Sequence, residues 1–196
     1  MNLKSFSPLV TNSILFSILL IFLRIDLVFS DSLPTGGDMG AHIVPTKFFV
    51  TELFSNFKIS GWSNDWFAGY PAYYFYFPFP PFIVAIFGLI FPYGISYKIM
   101  VVLGLCLLVL SIQKLVSKEN NNNLYLGFAA GLLFLLTESF TIFGGNLASS
   151  LAGQYSFTYS LAFGNLSIYF LTKSNLKNSV FYSSICISFC ILSHII

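Results

Sequence analysis

Charged side chains are scarce in this sequence. The 196 residues include nine Lys and Arg and seven Asp and Glu, so only 8% of the chain is charged. Soluble domains carry about a quarter charged residues, and this chain cannot cover a water-facing surface of that kind. The net charge of +2 is spread along the chain without a basic patch, which argues against a nucleic-acid partner.

Histidine and cysteine are almost as rare. Two histidines are too few for a zinc site with three imidazole ligands. The three cysteines, Cys106, Cys186 and Cys190, all lie in apolar runs. They are best interpreted as small buried hydrophobic residues, because no acidic residue stands near them in the sequence to complete a metal site.

Apolar residues dominate what remains, with 56% hydrophobic and 19% aromatic side chains. About 20 apolar residues cross a bilayer as a helix, and the pattern predicts an all-α, polytopic transmembrane protein. The expected spans are residues 9–29, 99–116, 124–143, 157–171 and 180–196. They belong to one membrane domain, and the last run ends without a flanking charge, so we expect an N-terminal part of a longer protein.

The first apolar segment has two interpretations. Arg24 and Asp26 fall in its final turns, where a spanning helix lets such groups pair or reach the interface. The alternative is a cleaved signal peptide, with Lys4 before the apolar run and a small-residue site ending at Ser30. Both interpretations place Asp31 and the residues after it on the outer side of the membrane.

The first outer loop, residues 31–98, holds most of the polar features. Asp38 is expected to cap a short helix through Val44, and Pro45 to begin a second, amphipathic helix over residues 46–57 that lies in the interface. The four prolines that follow should prevent a regular helix before Phe82. Residues 82–91 are then too short to cross, and we predict a re-entrant segment.

Lysine placement supports that topology. With a non-crossing 82–91 segment, five lysines fall on the cytoplasmic side, as the positive-inside rule requires; they are Lys4, Lys114, Lys118, Lys173 and Lys177. The prediction is a multi-pass protein of the cell membrane with a cytoplasmic N-terminus. The second outer loop, residues 144–155, then shares the outer face with Asp38, and His194 approaches the same face.

Asp38 and His42 are the candidate catalytic residues. Four residues apart on one helix, they project to the same side. A carboxylate and an imidazole so placed could serve as base and partner, or hold a divalent metal such as Mg²⁺ or Mn²⁺ through Asp38. The structural alternative is that Asp38 only caps its helix and His42 sits among lipid headgroups.

Four further residues are candidates for substrate binding. Trp62 and Trp66 could stack on a sugar or anchor the loop in the interface. Asn146 and Gln154 of the second outer loop could bind substrate or merely cap the flanking helices. Glu138, about two turns before that loop, is a further acidic candidate.

Four stretches together resemble the N-terminal module of the C-type glycosyltransferases, multispan enzymes that use polyprenyl-phosphate-linked sugars. They are Gly36-Gly-Asp-Met-Gly-Ala-His42, Gly61-Trp-Ser-Asn-Asp-Trp-Phe-Ala-Gly-Tyr-Pro71, Phe75-Tyr-Phe-Pro78 and Gly145-Asn-Leu-Ala-Ser-Ser-Leu-Ala-Gly-Gln154. Among related proteins the pattern is most similar to the membrane family labelled "6-pyruvoyl-tetrahydropterin synthase-related". The pterin synthase activity in that label does not fit a chain with two histidines.

The resemblance implies an enzyme that transfers sugar from a polyprenyl-phosphate donor at the outer face, with membrane lipid as its surroundings. Asp38 matches the first-loop acid that such enzymes use as base or metal ligand. Asn146 and Gln154 stand where the second loop usually supplies more acids, which weakens a metal-dependent mechanism. The alternative function is a non-enzymatic membrane transporter or a scaffold protein of the cell envelope.

Overall fold

A computed structural model describes residues 8–30, 32–117, 124–137, 144–172 and 178–194. The fold is mostly helical, as predicted. Its helices are α1 (Pro8–Phe22), α2 (Ile25–Val28), α3 (Met39–Phe48), α4 (Phe79–Phe87), α5 (Tyr93–Val116), α6 (Leu124–Leu135), α7 (Leu147–Ser149), α8 (Tyr155–Thr172) and α9 (Ser179–Ser193). A small antiparallel hairpin, β1 (Gly61–Ser63) and β2 (Tyr70–Ala72), was not predicted.

Helix α5 forms the centre of the core. Its buried residues Tyr97, Met100 and Leu105 pack with the aromatic rings of α8, and α6 lies along its other side. Gly127 and Gly131 of α6 approach the α5 backbone so closely that added Cβ atoms would stand about 3 Å or less from it. Small residues four apart thus let the two helices pack backbone to backbone.

This contact gives a first prediction. Gly131→Ala is expected to lower the free energy of unfolding by about 1–3 kcal/mol, because the new methyl group would lie 3.0 Å from the carbonyl oxygen of Val109. Gly164→Ala is the matched control, since nothing lies within 4 Å of its added Cβ. Thermal unfolding in detergent should separate the two variants; equal melting temperatures would contradict the close α5–α6 packing.

Within the described part of the chain, α5 is the one helix that is both long and apolar enough to cross a membrane. Half of its most apolar stretch is buried inside the fold, and the core helix of a soluble protein can have the same properties. Three shorter apolar helices, covering Asn12–Phe22, Leu124–Leu135 and Ser179–Ser193, accompany it.

The helices differ from the predicted spans at several ends. Span 9–29 is broken at Arg24, which adopts φ 52° between α1 and α2. Span 99–116 starts earlier, at Tyr93. Helix α6 ends at Leu135, while residues 138–143, with Glu138, and residues 195–196 lie outside the described residues. The predicted span 157–171 falls within α8, and the predicted span 180–196 overlaps α9.

Two predictions about proline were wrong. Pro45 does not begin a new helix; it lies inside α3, which runs on to Phe48 and then continues through a π-helical turn, Phe49–Leu53, and a 3₁₀ turn, Phe54–Asn56. The proline-rich stretch does not prevent a helix before Phe82, because α4 begins at Phe79. Pro80 and Pro81 occupy its first turn, where a backbone N–H has no partner within the helix.

The predicted amphipathic face over residues 46–57 is only partly correct. Phe49 and Leu53 are buried against Ala72, Tyr73 and Ala85. Phe57, however, ends the segment in a left-handed conformation and is 99% exposed.

Hydrogen bonds mark two ends of the helical assembly. At the end near Asp38, hereafter the site end, Lys98 Nζ donates to the carbonyl oxygens of Leu27 and Ser30, and Tyr93 Oη donates to the carbonyl oxygen of Ile43. At the opposite, far end, Gln113 Nε2 donates to Asn12 Oδ1 and to the carbonyl oxygen of Leu124. The loop 32–92 therefore gathers at the end from which α5 starts.

Candidate functional site

The two loops singled out in the sequence meet at Asp38. Its backbone N–H donates to the carbonyl oxygen of Ala152 at 2.7 Å. Its carboxylate oxygen Oδ2 accepts a long hydrogen bond from Gln154 Nε2 at 3.4 Å. Asp38 precedes α3 in the capping position, but its side chain makes no capping hydrogen bond to the helix. The exposed carboxylate therefore faces the second loop.

Glycines make this approach possible. A Cβ on Gly37 would lie 2.5 Å from the carbonyl oxygen of Ala152, and a Cβ on Gly153 would lie 3.1 Å from Asp38 Cβ and from His42 Cδ2. Gly153 also has φ +113°, a conformation that other residues rarely adopt. Both glycines are thus required for the loops to touch.

His42 lies one helical turn after Asp38, and its N–H donates to the Asp38 carbonyl oxygen at 3.2 Å. The imidazole sits between the rings of Tyr76 and Tyr155, each with its centroid 5.6 Å away. Burial lowers the pKa of His42, and the nearby Asp38 carboxylate opposes that shift only in part. The ring is consequently neutral near pH 7 and can accept a proton or a hydrogen bond.

Next to His42 lies a cavity of about 470 Å³, within the usual range of small-molecule sites. We call it the aromatic cavity. Aromatic side chains from three separate segments form much of its wall; they are His42, Trp66, Tyr70, Tyr73, Tyr76 and Tyr155. The cavity wall is apolar with a few polar groups. Such a wall suits a ligand that combines an apolar part, either a ring or a hydrocarbon chain, with hydroxyl groups.

Tyrosine hydroxyls provide most of those polar groups. Tyr97 Oη donates to Tyr155 Oη at 2.9 Å beneath the aromatic cavity. Burial raises the pKa of both Tyr73 and Tyr76, and the Asp38 charge raises that of Tyr76 further. These phenols therefore stay protonated at neutral pH, where they act as hydrogen-bond donors and not as bases.

The other predicted site residues divide into two groups. Trp66 lines the aromatic cavity and stacks on Tyr70 at 5.8 Å, whereas Trp62 is 62% exposed and does not line it. Gln154 contacts Asp38. Asn146 is buried as the cap of α7, where its Oδ1 accepts from the backbone N–H of Ser149 at 2.7 Å.

His194 reaches the site end as expected from its position. Its ring lies 4.7 Å from that of Phe77 and 5.7 Å from that of Phe157, measured between centroids. Phe77 also lines the aromatic cavity. His194 is therefore a neighbour of the cavity wall.

Sequence reasoning did not identify Tyr73, Tyr76 and Tyr155 as site residues. In the sequence the region around Tyr73 and Tyr76 was singled out only for its prolines and for the stretch Phe75-Tyr-Phe-Pro78, and neither pattern predicts a cavity wall. Tyr155 lies in the chain beside the singled-out Gln154, yet its ring contact with His42 comes from the approach of α8 to α3.

Asp38 is the predicted ligand of a Mg²⁺ or Mn²⁺ ion. Mg²⁺ is commonly bound through one or two carboxylates, with water and substrate phosphates as its other ligands. Among the residues described, no three His, Cys, Asp or Glu side chains converge. Asp38, His42 and Gln154 supply one carboxylate, one imidazole and one amide, so a metal at Asp38 stays a prediction, and the chemistry proposed below does not depend on it.

The environment of His42 leads to a second prediction. Its imidazole should titrate below the ordinary histidine value of about 6.5. Asp38→Asn should lower that pKa further, because the mutation removes the one charge among the described residues that favours the imidazolium. NMR titration of the two histidines would measure this, with His42→Gln assigning the signals.

The sign of the stability effect follows from the same shift. The unfolded chain binds a proton at His42 more readily than the folded one, so stability is lost as the pH falls below about 6.5. A pKa for His42 that rises in Asp38→Asn would contradict the proximity of the two groups.

No protein-family model, curated protein or solved structure matches this chain.

Proposed function

We propose that this protein is a multi-pass membrane enzyme that transfers a sugar from a polyprenyl-phosphate donor to an acceptor at the outer face. One observation carries the proposal: Asp38, at the junction of two loops, lies one helical turn from His42, whose neutral imidazole lines an apolar, tyrosine-rich cavity. A sugar linked to a lipid needs both an apolar surface and a group that accepts a proton.

The outer surfaces of the helices support a membrane setting. On α1, the residues Val10, Ile14, Ile18 and Ile21 are exposed at helical spacing, while Leu15 and Leu19 face the core. Exposed large apolar side chains continue on α6 and α9, among them Leu126, Leu133, Phe181, Ile187 and Ile191. Lipid would cover these faces, since contiguous apolar surfaces of this kind are rare on soluble monomers.

The arrangement of the two ends supports the proposed topology. The loops that contain Asp38 and Gln154 share the site end, whereas Lys114 lies near the far end, one residue after Gln113. With the far end and the N-terminus in the cytoplasm, the site faces outward. Lys4, Lys118, Lys173 and Lys177 belong to the same prediction but lie outside the described residues.

Helix α4 suits the re-entrant role proposed for residues 82–91. It begins at Phe79, whose ring contacts those of Phe163 and Phe189 inside the assembly. The segment then ends at Phe91, whose ring lies 6.2 Å from Phe29 near the site end. The preceding Tyr76 also lies there, against His42. Both flanks of α4 are therefore at one end.

The proposed reaction is a proton-assisted displacement. The acceptor hydroxyl gives its proton to the Asp38 carboxylate while its oxygen bonds to the anomeric carbon of the sugar. The bond between that carbon and the phosphate oxygen breaks, and its electron pair leaves with the polyprenyl phosphate. Gln154 holds the carboxylate by a hydrogen bond, and neutral His42 and the Tyr76 hydroxyl can bind sugar hydroxyls.

The resemblance of the four sequence stretches to C-type glycosyltransferases is consistent with this chemistry. The alternative, a transporter or envelope scaffold, draws on the apolar character of the aromatic cavity, which would also hold a lipid that undergoes no reaction. Catalysis distinguishes the two proposed functions, since a glycosyltransferase and a transporter or scaffold would both bind lipid.

The test uses the full-length protein reconstituted in nanodiscs with radiolabelled polyprenyl-phosphate sugars and a mixed lipid and glycan acceptor fraction. We expect labelled sugar to appear in the acceptor, with a rate unchanged by EDTA. If the protein in native membranes binds the donors but transfers no sugar, the result would favour the transporter or scaffold. A rate that falls on chelation and returns with Mn²⁺ or Mg²⁺ would overturn the metal-free mechanism.

A further inference from the structure

A second cavity, of about 320 Å³, shares no lining residue with the aromatic cavity. Its walls are mostly aliphatic, and Phe22 is the one aromatic side chain among the lining residues. They come from the end of α1 and α2, from one face of α5 and from the second loop, and include Leu23, Leu27, Val102, Leu105, Leu147 and Leu151. We call it the aliphatic cavity. A lining of aliphatic chains with a single aromatic ring suits a flexible hydrocarbon chain better than a sugar.

Two cationic side chains line the same cavity, Arg24 and Lys98. Arg24 forms a bidentate ion pair with Asp26 at 2.8–2.9 Å, with both side chains about 60% exposed. Lys98 Nζ donates to the carbonyl oxygens of Leu27 and Ser30 and to Ser30 Oγ, which uses all three of its N–H groups. Arg24, Asp26 and Lys98 together have a formal charge of +1. Asp31 lies outside the described residues.

The backbone break at Arg24 is part of this cavity wall. Arg24 adopts φ 52° and ψ 53°, a left-handed conformation that a residue with a side chain rarely adopts. Helix α1 is also tied to α5 at the far end by Asn12 and Gln113, and α2 is tied to α5 at the site end by Lys98. The cavity lies along α5 between these two ties, and its wall contains the strained turn.

We infer that the aliphatic cavity binds one acyl chain of an anionic phospholipid from the surrounding membrane, with the lipid phosphate hydrogen-bonded to Arg24 and attracted by the positive charge of Lys98. Aliphatic walls favour a hydrocarbon chain. The positive charge beside them favours a phospholipid whose headgroup has a net negative charge over one whose headgroup is zwitterionic. This site is independent of the proposed catalysis, because it shares neither Asp38 nor the aromatic cavity.

The test is native mass spectrometry of the full chain, delipidated in detergent and titrated with dioleoyl phosphatidylglycerol or dioleoyl phosphatidylcholine. We expect one phosphatidylglycerol to bind about fivefold more tightly than phosphatidylcholine, as one net surface charge predicts. Arg24→Gln removes that net charge, so the two lipids should then bind equally. Lys114→Gln, at the other end of α5, should leave the preference intact.

A second pair of variants tests the chain-binding half of the inference. Val102→Phe places a ring in the aliphatic cavity and should weaken binding of phosphatidylglycerol at least tenfold. Leu103→Phe is the matched control, because the neighbouring Leu103 is exposed and lines no part of this cavity. Equal binding by these two variants, or no lipid preference in the wild type, would overturn the inference. Thermal unfolding of each variant shows whether it is folded.

Discussion

Gly37→Ala is expected to lower the free energy of unfolding by about 2–4 kcal/mol and to separate the two loops. The added methyl group would stand 2.5 Å from the carbonyl oxygen of Ala152, the same oxygen that accepts the hydrogen bond of the Asp38 N–H. A backbone atom cannot rotate away as a side chain can, so one loop must move. Thermal unfolding in detergent measures the loss.

Two neighbouring glycines provide controls for this variant. Gly40 lies in α3 with nothing within 4 Å of an added Cβ, and Gly40→Ala should be neutral or stabilising by up to about 1 kcal/mol. Gly36 has φ +117° but open space around it, so Gly36→Ala reports backbone strain without a clash. If Gly37→Ala melts at the temperature of Gly40→Ala, the loops do not touch as described.

Asp38→Asn is expected to slow sugar transfer by at least about 100-fold, the typical contribution of a general base. The amide keeps the shape of the carboxylate and can still accept a hydrogen bond from Gln154, so the loop contact persists. The proton acceptor is lost. The rate of transfer from a labelled polyprenyl-phosphate sugar, with donor binding measured in parallel, should show a lower kcat at unchanged donor affinity.

Glu52→Gln is the matched control for the removed charge. Glu52 is an exposed acid on the π-helical turn after α3 and lines neither the aromatic nor the aliphatic cavity. Its variant should transfer sugar at the wild-type rate. An Asp38→Asn enzyme within threefold of the wild type would rule out Asp38 as the base.

Local sequence signals predicted several elements well. Asp38 was expected before a helix and stands at the start of α3. The apolar run that forms α5 was evident from its length, although the helix begins at Tyr93, directly after Pro92 and six residues before the predicted start at residue 99. These features depend on a few consecutive residues, which is why the sequence alone reveals them.

The errors at proline arise from tertiary packing. Pro45 usually ends or kinks a helix, but here the following residues Phe49 and Leu53 are buried against the hairpin and α4. That burial favours a continuous path, and the chain continues after α3 as the π-helical turn Phe49–Leu53. Pro80 and Pro81 were misread for a simpler reason, since prolines that disrupt a helix interior are well suited to its first turn.

The site required information that no local pattern contains. Lysine placement led us to expect both loops on one face, and the structure shows the contact itself, at Gly37 and Ala152. The ring of Tyr155 reaches His42 only because α8 packs against α5 and brings the second loop over α3. Asn146, in contrast, has a local role as a helix cap, an alternative that the sequence had left open.

The proposed function requires the loops around Asp38 to face outward from the membrane, and cysteine labelling measures this directly. Single cysteines would replace Thr35, Ala148 and Lys114 in a variant lacking Cys106, Cys186 and Cys190; all three replaced positions are exposed. We predict that a membrane-impermeant maleimide labels positions 35 and 148 on intact cells and position 114 only after permeabilisation. Labelling of position 114 on intact cells, or protection of positions 35 and 148, would contradict an outward-facing site.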